Sequence, residues 1–362
     1  MEFIEEAVRY GRATLLHGDC LERMAELPDQ SIDLILTDPP YFRAIKEDWD
    51  RQWQDASAFL AWLDKVAAEW QRLLKPNGSL YCFASPQMAT KVETLLSKRF
   101  FILNSIRWVK EAGNFNKVSA ATQRRYVTNW EACIFAEPLA GDAVAKNSSS
   151  YSAKCDSLRG EVFAPLREYI CGEFERAGML NSAGKRAADK VCGVKAMASR
   201  HYFGKAQWAL PTKEHYEAMR GLLNDNDNGD GPYLTKDPDF LQENYTYLKK
   251  EYETLRQEFE ELRRPFTPTQ GLLQRDTWSF KPVQGYPGRH PCEKPQAMLA
   301  HILEVSSRPG AVVLDSFMGG GSAGVACQRL GRTFIGIERD AGYFVGACQR
   351  LDLVAAELPL VG

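Results

Sequence analysis

AVVLDSFMGGGSAGVACQRLGRTFIGIE, residues 311–338, is the stretch on which the fold turns. Ala311 to Asp315 is a short apolar run of the kind that forms a buried strand. It breaks into Ser316-Phe-Met-Gly-Gly-Gly-Ser322, and a segment of small residues from Ser322 to Leu330 reads as a helix. Thr333 to Glu338 (TFIGIE) is a second strand. Strand, glycine turn, helix and strand make one βαβ unit, which predicts a parallel sheet covered on both faces.

The glycines could serve close packing alone. A glycine turn at the start of a helix also lets a ligand approach the backbone and meet free N–H groups. Glu338 ends the next strand, where a carboxylate suits ribose hydroxyls, and this favours the ligand reading. The turn is read as lacking the GxGxxG dinucleotide pattern, and it has no GK[ST] for a triphosphate. It reads as a nucleoside-binding loop without a strong phosphate clamp, and the ligand it favours is S-adenosylmethionine rather than NAD or ATP.

The same architecture appears near the N-terminus. Ala13 to His17 and Ile32 to Thr37 (IDLILT) are apolar runs. Between Ser57 and Lys75, Phe59, Leu63, Val66, Trp70 and Leu73 recur at helical spacing, and Pro76-Asn77-Gly78 stops that helix. Ser79 to Ala84 and Glu131 to Ala136 follow as strands. IDLIL runs into Thr37-Asp38-Pro39-Pro40-Tyr41, which places Asp38 and Tyr41 at the carboxyl end of a parallel strand, where such folds bind ligands.

An Asp-Pro turn commonly does no more than close a strand. This one has the groups that an exocyclic amine requires. The lone pair of such an amine is delocalised into its ring, so it is a poor nucleophile. Asp38 and the carbonyl of Pro39, each accepting one N–H, would draw it toward tetrahedral geometry. The prolines hold the turn, Pro40 included, and remove competing donors. Tyr41 offers a face for a base flipped out of its helix.

DPPY together with the distant loop Phe317-Met-Gly319-Gly-Gly321 resembles the amino-group DNA methyltransferases. DPPY precedes the glycine loop with a long segment between them, which resembles the β-class order. Leu16-His-Gly-Asp-Cys20 resembles a family segment whose aspartate, here Asp19, contacts the cofactor. Trp108 to Phe135 resembles the family's sheet-edge motifs. His290-Pro-Cys-Glu-Lys-Pro295 resembles the motif that opens the cofactor half. The resemblance covers roughly residues 13–137 and 275–345. It implies a Rossmann-like α/β methyltransferase fold with a mainly helical inserted target-recognition domain. It assigns Asp38, Pro39, Pro40 and Tyr41 to catalysis, and Asp19, Lys294, Asp315, Phe317, Gly319, Gly321 and Glu338 to S-adenosylmethionine. The aspartate of DPPY, where other members carry SPPY, points to adenine N6 rather than cytosine N4. Double-stranded DNA is the implied substrate and a homodimer a possible assembly. RNA adenine, a protein glutamine amide, or a non-enzymatic role on an inactive scaffold are the competing readings. Pro291-Cys292 has the form of a cytosine-C5 nucleophile, but DPPY already supplies a complete non-covalent site.

These features divide the chain into a catalytic half (1–138), an insertion (139–265) and a cofactor half (266–362). From Lys154 to Lys213 the insertion carries eleven Lys/Arg against six Asp/Glu, an excess of five that suits phosphate contacts. Lys185 to Phe203 reads equally as a faint helix-turn-helix, presenting Lys195, Ser199, Arg200 and His201 to DNA with Lys205 just beyond it, or as a small helical subdomain. Arg124 and Arg125, before Tyr126, are expected on the DNA backbone. Leu241, Tyr245, Leu248, Tyr252, Leu255, Phe259 and Leu262 form a heptad seam, either packed at home or shared between subunits.

Composition sets the outer bounds. The net charge of −2 over 362 residues does not advertise a nucleic-acid partner, though a local basic cleft is compatible with it. Nine cysteines lie singly, with no CxxC pair, so neither a zinc site nor a disulfide framework is expected. The N-terminus lacks an apolar signal region and no apolar run suffices to span a bilayer, which reads as a cytoplasmic protein.

Overall fold

The computed structural model describes residues 7–110, 124, 126–139, 151–225, 231–268, 275–286 and 289–357. Among them are the strands β1 (Ala7–Tyr10), β2 (Ala13–His17), β3 (Ile32–Thr37), β4 (Leu74–Ala84), β5 (Phe100–Lys110), β6 (Trp130–Pro138), β7 (Thr277–Phe280), β8 (Val312–Asp315) and β9 (Thr333–Glu338). They form one sheet in the order β1-β2-β9-β8-β3-β4-β6-β5-β7. The run from β2 to β4 is parallel, and β6 is antiparallel to both β4 and β5.

The central strands are apolar on both faces because helices cover both. Leu34, Leu36 and Val313 point into a core with α11 (Gln296–Ser306), α12 (Ser322–Arg329) and α13 (Ala341–Glu357). Ile35 and Leu314 point into the other, with α1 (Cys20–Ala25), α3 (Ala56–Leu73) and α4 (Ala89–Leu96). A four-residue helix, α2 (Asp48–Arg51), lies in the loop after DPPY. Helix α3 follows its 3.6-residue period: Phe59, Leu63, Val66, Trp70 and Leu73 are its buried face, and Asp55 caps it by accepting from the Ala58 N–H at 2.9 Å. Burial of each of its large aliphatic or aromatic side chains contributes roughly 1.5–3 kcal/mol.

Pro76-Asn77-Gly78 does not separate α3 from the next strand. β4 starts at Leu74, directly after the helix, and the three residues lie inside it. Ile32 pairs with Leu74 and Leu34 already with Ser79, so the extra residues bulge out of the ladder there.

The chain divides into two compact units, one of Met1–Val144 with Arg264–Gly362 and the other of Ala145–Arg263. The second unit is helical: α5 (Tyr151–Val162), α6 (Ala164–Arg176), α7 (Ser182–Val191), α8 (Met197–His201), α9 (Lys213–Asn224) and α10 (Pro238–Leu262). Its own core includes Phe163, Ile170, Phe174, Trp208, Tyr216 and Met219.

Both open readings of this unit now narrow. Helix α8 has only five residues, too few to lay a row of side chains along a groove. Its exposed N–H groups need an acceptor, and Asp189 of α7 provides it: Oδ1 takes the Ala198 N–H at 2.8 Å and Oδ2 the Ser199 hydroxyl at 2.6 Å. Ser199, expected to read DNA, is therefore a strut between two helices. Lys195, Arg200 and Lys205 are exposed. The heptad seam packs at home. Leu241 and Tyr252 are buried in the unit's core, and Tyr245, Leu248 and Leu255 lie half-buried against it. The Phe259 and Leu262 side chains lie outside the described residues.

Candidate active site

The site arises where the sheet changes direction. β3 and β8 are parallel neighbours, with Leu34 opposite Val313 and Ile35 opposite Leu314. From β3 the chain crosses to β4 on one side, and from β8 to β9 on the other. The two connections diverge at the carboxyl ends of the strands and leave a crevice between them. DPPY follows β3 and the glycine loop follows β8, so the two motifs meet there. The Thr37 hydroxyl donates to Asp315 Oδ1 at 3.1 Å, and the Trp70 indole of α3 donates to the Ser316 hydroxyl at 3.0 Å.

On the β8 side, Asp315 Oδ1 also accepts the Phe317 N–H at 3.1 Å, and burial pushes this carboxyl up to about 7. The Phe317 ring lies against Trp62 with centroids 5.7 Å apart. Glu338 ties the loop down: Oε2 accepts the Gly319 N–H at 3.0 Å and Oε1 the Asp340 N–H at 2.7 Å. Gly319 and Gly321 have φ of +50° and +74°, and Gly321 caps α12. Asp19 caps α1 by accepting the Leu21 N–H at 2.8 Å, and it faces the same crevice.

One expectation from this loop needs correction. Gly319, Gly321 and Gly324 fall at the GxGxxG spacing of a dinucleotide turn. A Cβ on Gly324 would lie 2.8 Å from the Phe334 ring, so this third glycine serves close helix–strand packing. The loop by itself does not choose S-adenosylmethionine over NAD.

On the β3 side, Asp38 Oδ2 accepts a hydrogen bond from the Lys294 ammonium. Lys294 also donates to the Cys292 carbonyl at 3.3 Å and lies 3.6 Å from Glu131 Oε2. Glu131, at the start of β6, accepts from the Tyr41 hydroxyl at 3.0 Å and from Lys110 of β5. Lys294, expected on the cofactor, thus pairs with the carboxylate of Asp38. Its side chain is only 6 % exposed, and its charge persists because two carboxylates face it and raise its pKa against the opposing effect of burial. Asp38 Oδ1 is buried and accepts no hydrogen bond. Burial pushes the Asp38 carboxyl up, and Lys294 pulls it back. The turn itself is held by Asp50, whose carboxylate accepts the Tyr41 N–H at 2.7 Å and the Ile45 N–H at 2.9 Å.

A cavity of about 420 Å³ is lined by Asp19, Phe317, Gly319 and Glu338 together with Asp38, Pro39, Pro40, Tyr41 and Lys294. That size suits a small-molecule site. Trp49, Trp62, His290 and Tyr343 add aromatic walls. His290 packs between Trp49 and Tyr343, at ring-centroid distances of 5.8 and 4.4 Å, and burial pushes its pKa down to about 4. Glu131, Lys110, Asp50 and Trp49 were not singled out from sequence, and His290 entered only as the first residue of the motif that ends at Pro295. Glu131 left one signal, a carboxylate opening an otherwise apolar strand (EACIFA). Arg124 is exposed, whereas Arg125 lies outside the described residues.

Cys292 lines the cavity, but burial pushes its thiol up to about 12 with Asp38 adding to the effect, the opposite of an activated nucleophile. Cys292→Ser should keep its methyl-transfer rate within about threefold of wild type, since no covalent step depends on the thiolate. A folded but inactive variant would restore the cytosine-C5 reading.

A family model described as DNA methylase, covering amino-group N6 and N4 enzymes, matches residues 32–348. The chain belongs to the N6/N4 DNA methylase family. It is 24 % identical over 360 residues to the DNA adenine methyltransferase YhdJ of Escherichia coli, covering 97 % of this chain and 87 % of that protein. It is 39 % identical over 85 residues to the type II methyltransferase M2.DpnII of Streptococcus pneumoniae, which covers 23 % of this chain and 32 % of the relative. The fold is shared with PvuII DNA methyltransferase, described as cytosine-N4-specific, at a TM-score of 0.51 and 11 % identity over 97 % of this chain and 95 % of that one. As a family member the chain is a DNA amino-methyltransferase. Among the described residues no helix is long and apolar enough to cross a membrane.

Proposed function

We propose that this DNA methylase transfers the methyl group of S-adenosylmethionine to the N6 amine of adenine in double-stranded DNA, in a site-specific manner and on a base flipped into the crevice. The observation that carries the reading is the free oxygen of DPPY: Asp38 lines the cavity, and its Oδ1 is buried and without a hydrogen-bond partner. An unsatisfied buried acceptor is costly unless a ligand donor completes it. An amine N–H is such a donor, and the Pro39 carbonyl would take the second.

The cavity fits the cofactor. Glu338 stands at the end of β9 for the ribose, the glycine backbone allows close approach, and Asp19, Asp315 and Phe317 complete the walls. When bound, S-adenosylmethionine supplies an electrophilic methyl group on a sulfonium. The residues of this chain do the rest. Asp38 and Pro39 orient the amine, and Tyr41 and the aromatic walls hold the base. Adenine is supported by aspartate in the DPPY turn and by the adenine specificity of YhdJ. The helical unit is assigned to target recognition, with Lys195, Arg200 and Lys205 as exposed cations for DNA and Arg124 for the backbone near the flipped base.

Duplex DNA is incubated with the protein and deuteriomethyl-labelled S-adenosylmethionine, digested to nucleosides and weighed by mass spectrometry. Labelled N6-methyldeoxyadenosine is expected. Labelled N4-methyldeoxycytidine would replace adenine by cytosine as the target, and transfer to RNA in preference to DNA would change the substrate.

A further inference from the structure

We propose that Lys294 is a positioning residue for methyl transfer: by pairing with Asp38 Oδ2 it keeps this carboxylate anionic and turned so that Oδ1 alone faces the amine. The inference rests on the reading of Asp38 as the acceptor for the target amine.

The geometry is unusually complete for a lysine. Its ammonium bonds Asp38 Oδ2 and the Cys292 carbonyl, and it stands 3.6 Å from Glu131 Oε2. The ammonium also lies over the Phe83 ring at 4.8 Å and the Tyr41 ring at 5.3 Å from their centroids. Two of the three ammonium donors are taken by hydrogen bonds, and the Glu131 carboxylate lies 3.6 Å away. Asp38, in turn, is faced by titratable groups from the elements packed against it: burial pushes Asp315 up to about 7, and it holds the thiols of Cys82 on β4 and Cys133 on β6 neutral. Tyr41 of its own turn is held neutral by burial. β6 brings Glu131 and β5 brings Lys110, which bond each other. The segment before α11 brings Cys292 and Lys294, and the β8 loop brings Asp315. Lys294 is the cation bonded directly to Asp38. Without it, Asp38 and Glu131 would be two carboxylates in one desolvated pocket, and one of them would take up a proton. A protonated Asp38 is a poorer acceptor, so the sign is fixed: loss of Lys294 raises the pH needed for activity.

The test uses the full-length protein with Lys294→Met, with Lys294→Gln as a second variant should the first not fold. The kcat for methyl transfer to DNA is measured from pH 6 to 9, and S-adenosylmethionine affinity by calorimetry. The acid limb of the kcat profile should move up by about 1–3 pH units, the range for loss of an opposite charge in contact. The deficit should then shrink as pH rises, while cofactor affinity stays within about threefold, a change of under 1 kcal/mol. A deficit of constant size at every pH would overturn the proposal, as would an unshifted limb. A loss of affinity of about tenfold or more would return Lys294 to the cofactor. The Asp38 carboxyl is titrated independently by NMR with labelled aspartate, its signal assigned by its loss in Asp38→Asn. Its midpoint should rise in Lys294→Met, and an unmoved midpoint would refute the inference. If wild type methylates no DNA base, the functional reading fails, yet this titration still decides whether Lys294 holds Asp38 ionised.

Discussion

Asp38→Ala should lower methyl transfer by about a hundredfold or more while leaving S-adenosylmethionine bound, because it removes a preorganised acceptor at the reacting nitrogen. The carboxylate lines the same cavity as the glycine loop, but the bond that holds Gly319 to Glu338 does not involve it. The variant also strands part of a buried ion pair, since Lys294 keeps only Glu131 and the Cys292 carbonyl. Loss of one partner from such a pair can cost several kcal/mol of stability. Asp38→Asn is therefore the necessary companion. It preserves shape and one carbonyl acceptor but carries no charge, and it should also be slow. Single-turnover transfer to DNA, read beside a thermal unfolding curve, separates chemistry from folding. A folded Asp38→Ala protein that retains more than about a tenth of the wild-type rate would remove Asp38 from the mechanism.

Gly319→Val should weaken S-adenosylmethionine binding by about a hundredfold or more, equivalent to losing roughly 2.7 kcal/mol. Two effects act together. The backbone there has φ of +50°, a conformation that a β-branched residue strongly resists. A Cβ would also lie 3.1 Å from the His290 ring, which is wedged between Trp49 and Tyr343 and cannot easily yield. The displaced loop would lose the bond from the Gly319 N–H to Glu338. Gly310→Ala is the control, because its φ is +81° with nothing within 4 Å of the new Cβ. It carries the backbone penalty of roughly 1 kcal/mol without touching the cavity, and should bind the cofactor normally. Calorimetric titration of both proteins decides: equal affinities would place the ligand away from the glycine loop.

The two central motifs were legible because their signals are local. IDLILT before DPPY, and AVVLD before the glycine loop, announce strand ends by apolar runs broken by residues with special backbone needs. Helix α3 was legible for the same reason, five apolar residues at one period. The insertion was less so. Lys185 to Phe203 does hold two helices about a turn, but nothing in the string says that the second stops after five residues or that Asp189 claims Ser199. The heptad spacing likewise showed a wet and a dry face on α10 without naming what covers the dry one.

By itself the sequence determined the α/β architecture and the ends of β3 and β8, where DPPY and the glycine loop stand, since each follows from residues adjacent in the chain. Tertiary structure alone decided who stands beside Asp38. Lys294 lies 256 residues away, and Tyr41 finds Glu131 across 90. Those partners meet only because the sheet order sets β3 between β8 and β4, with β6 next to β4, and brings the segment before α11 over the crevice. Periodicity records whether a side chain turns inward, but it holds no information on which other inward-turning charge awaits it. In a desolvated pocket that neighbour decides whether a carboxylate is ionised, and hence whether it can accept an amine proton.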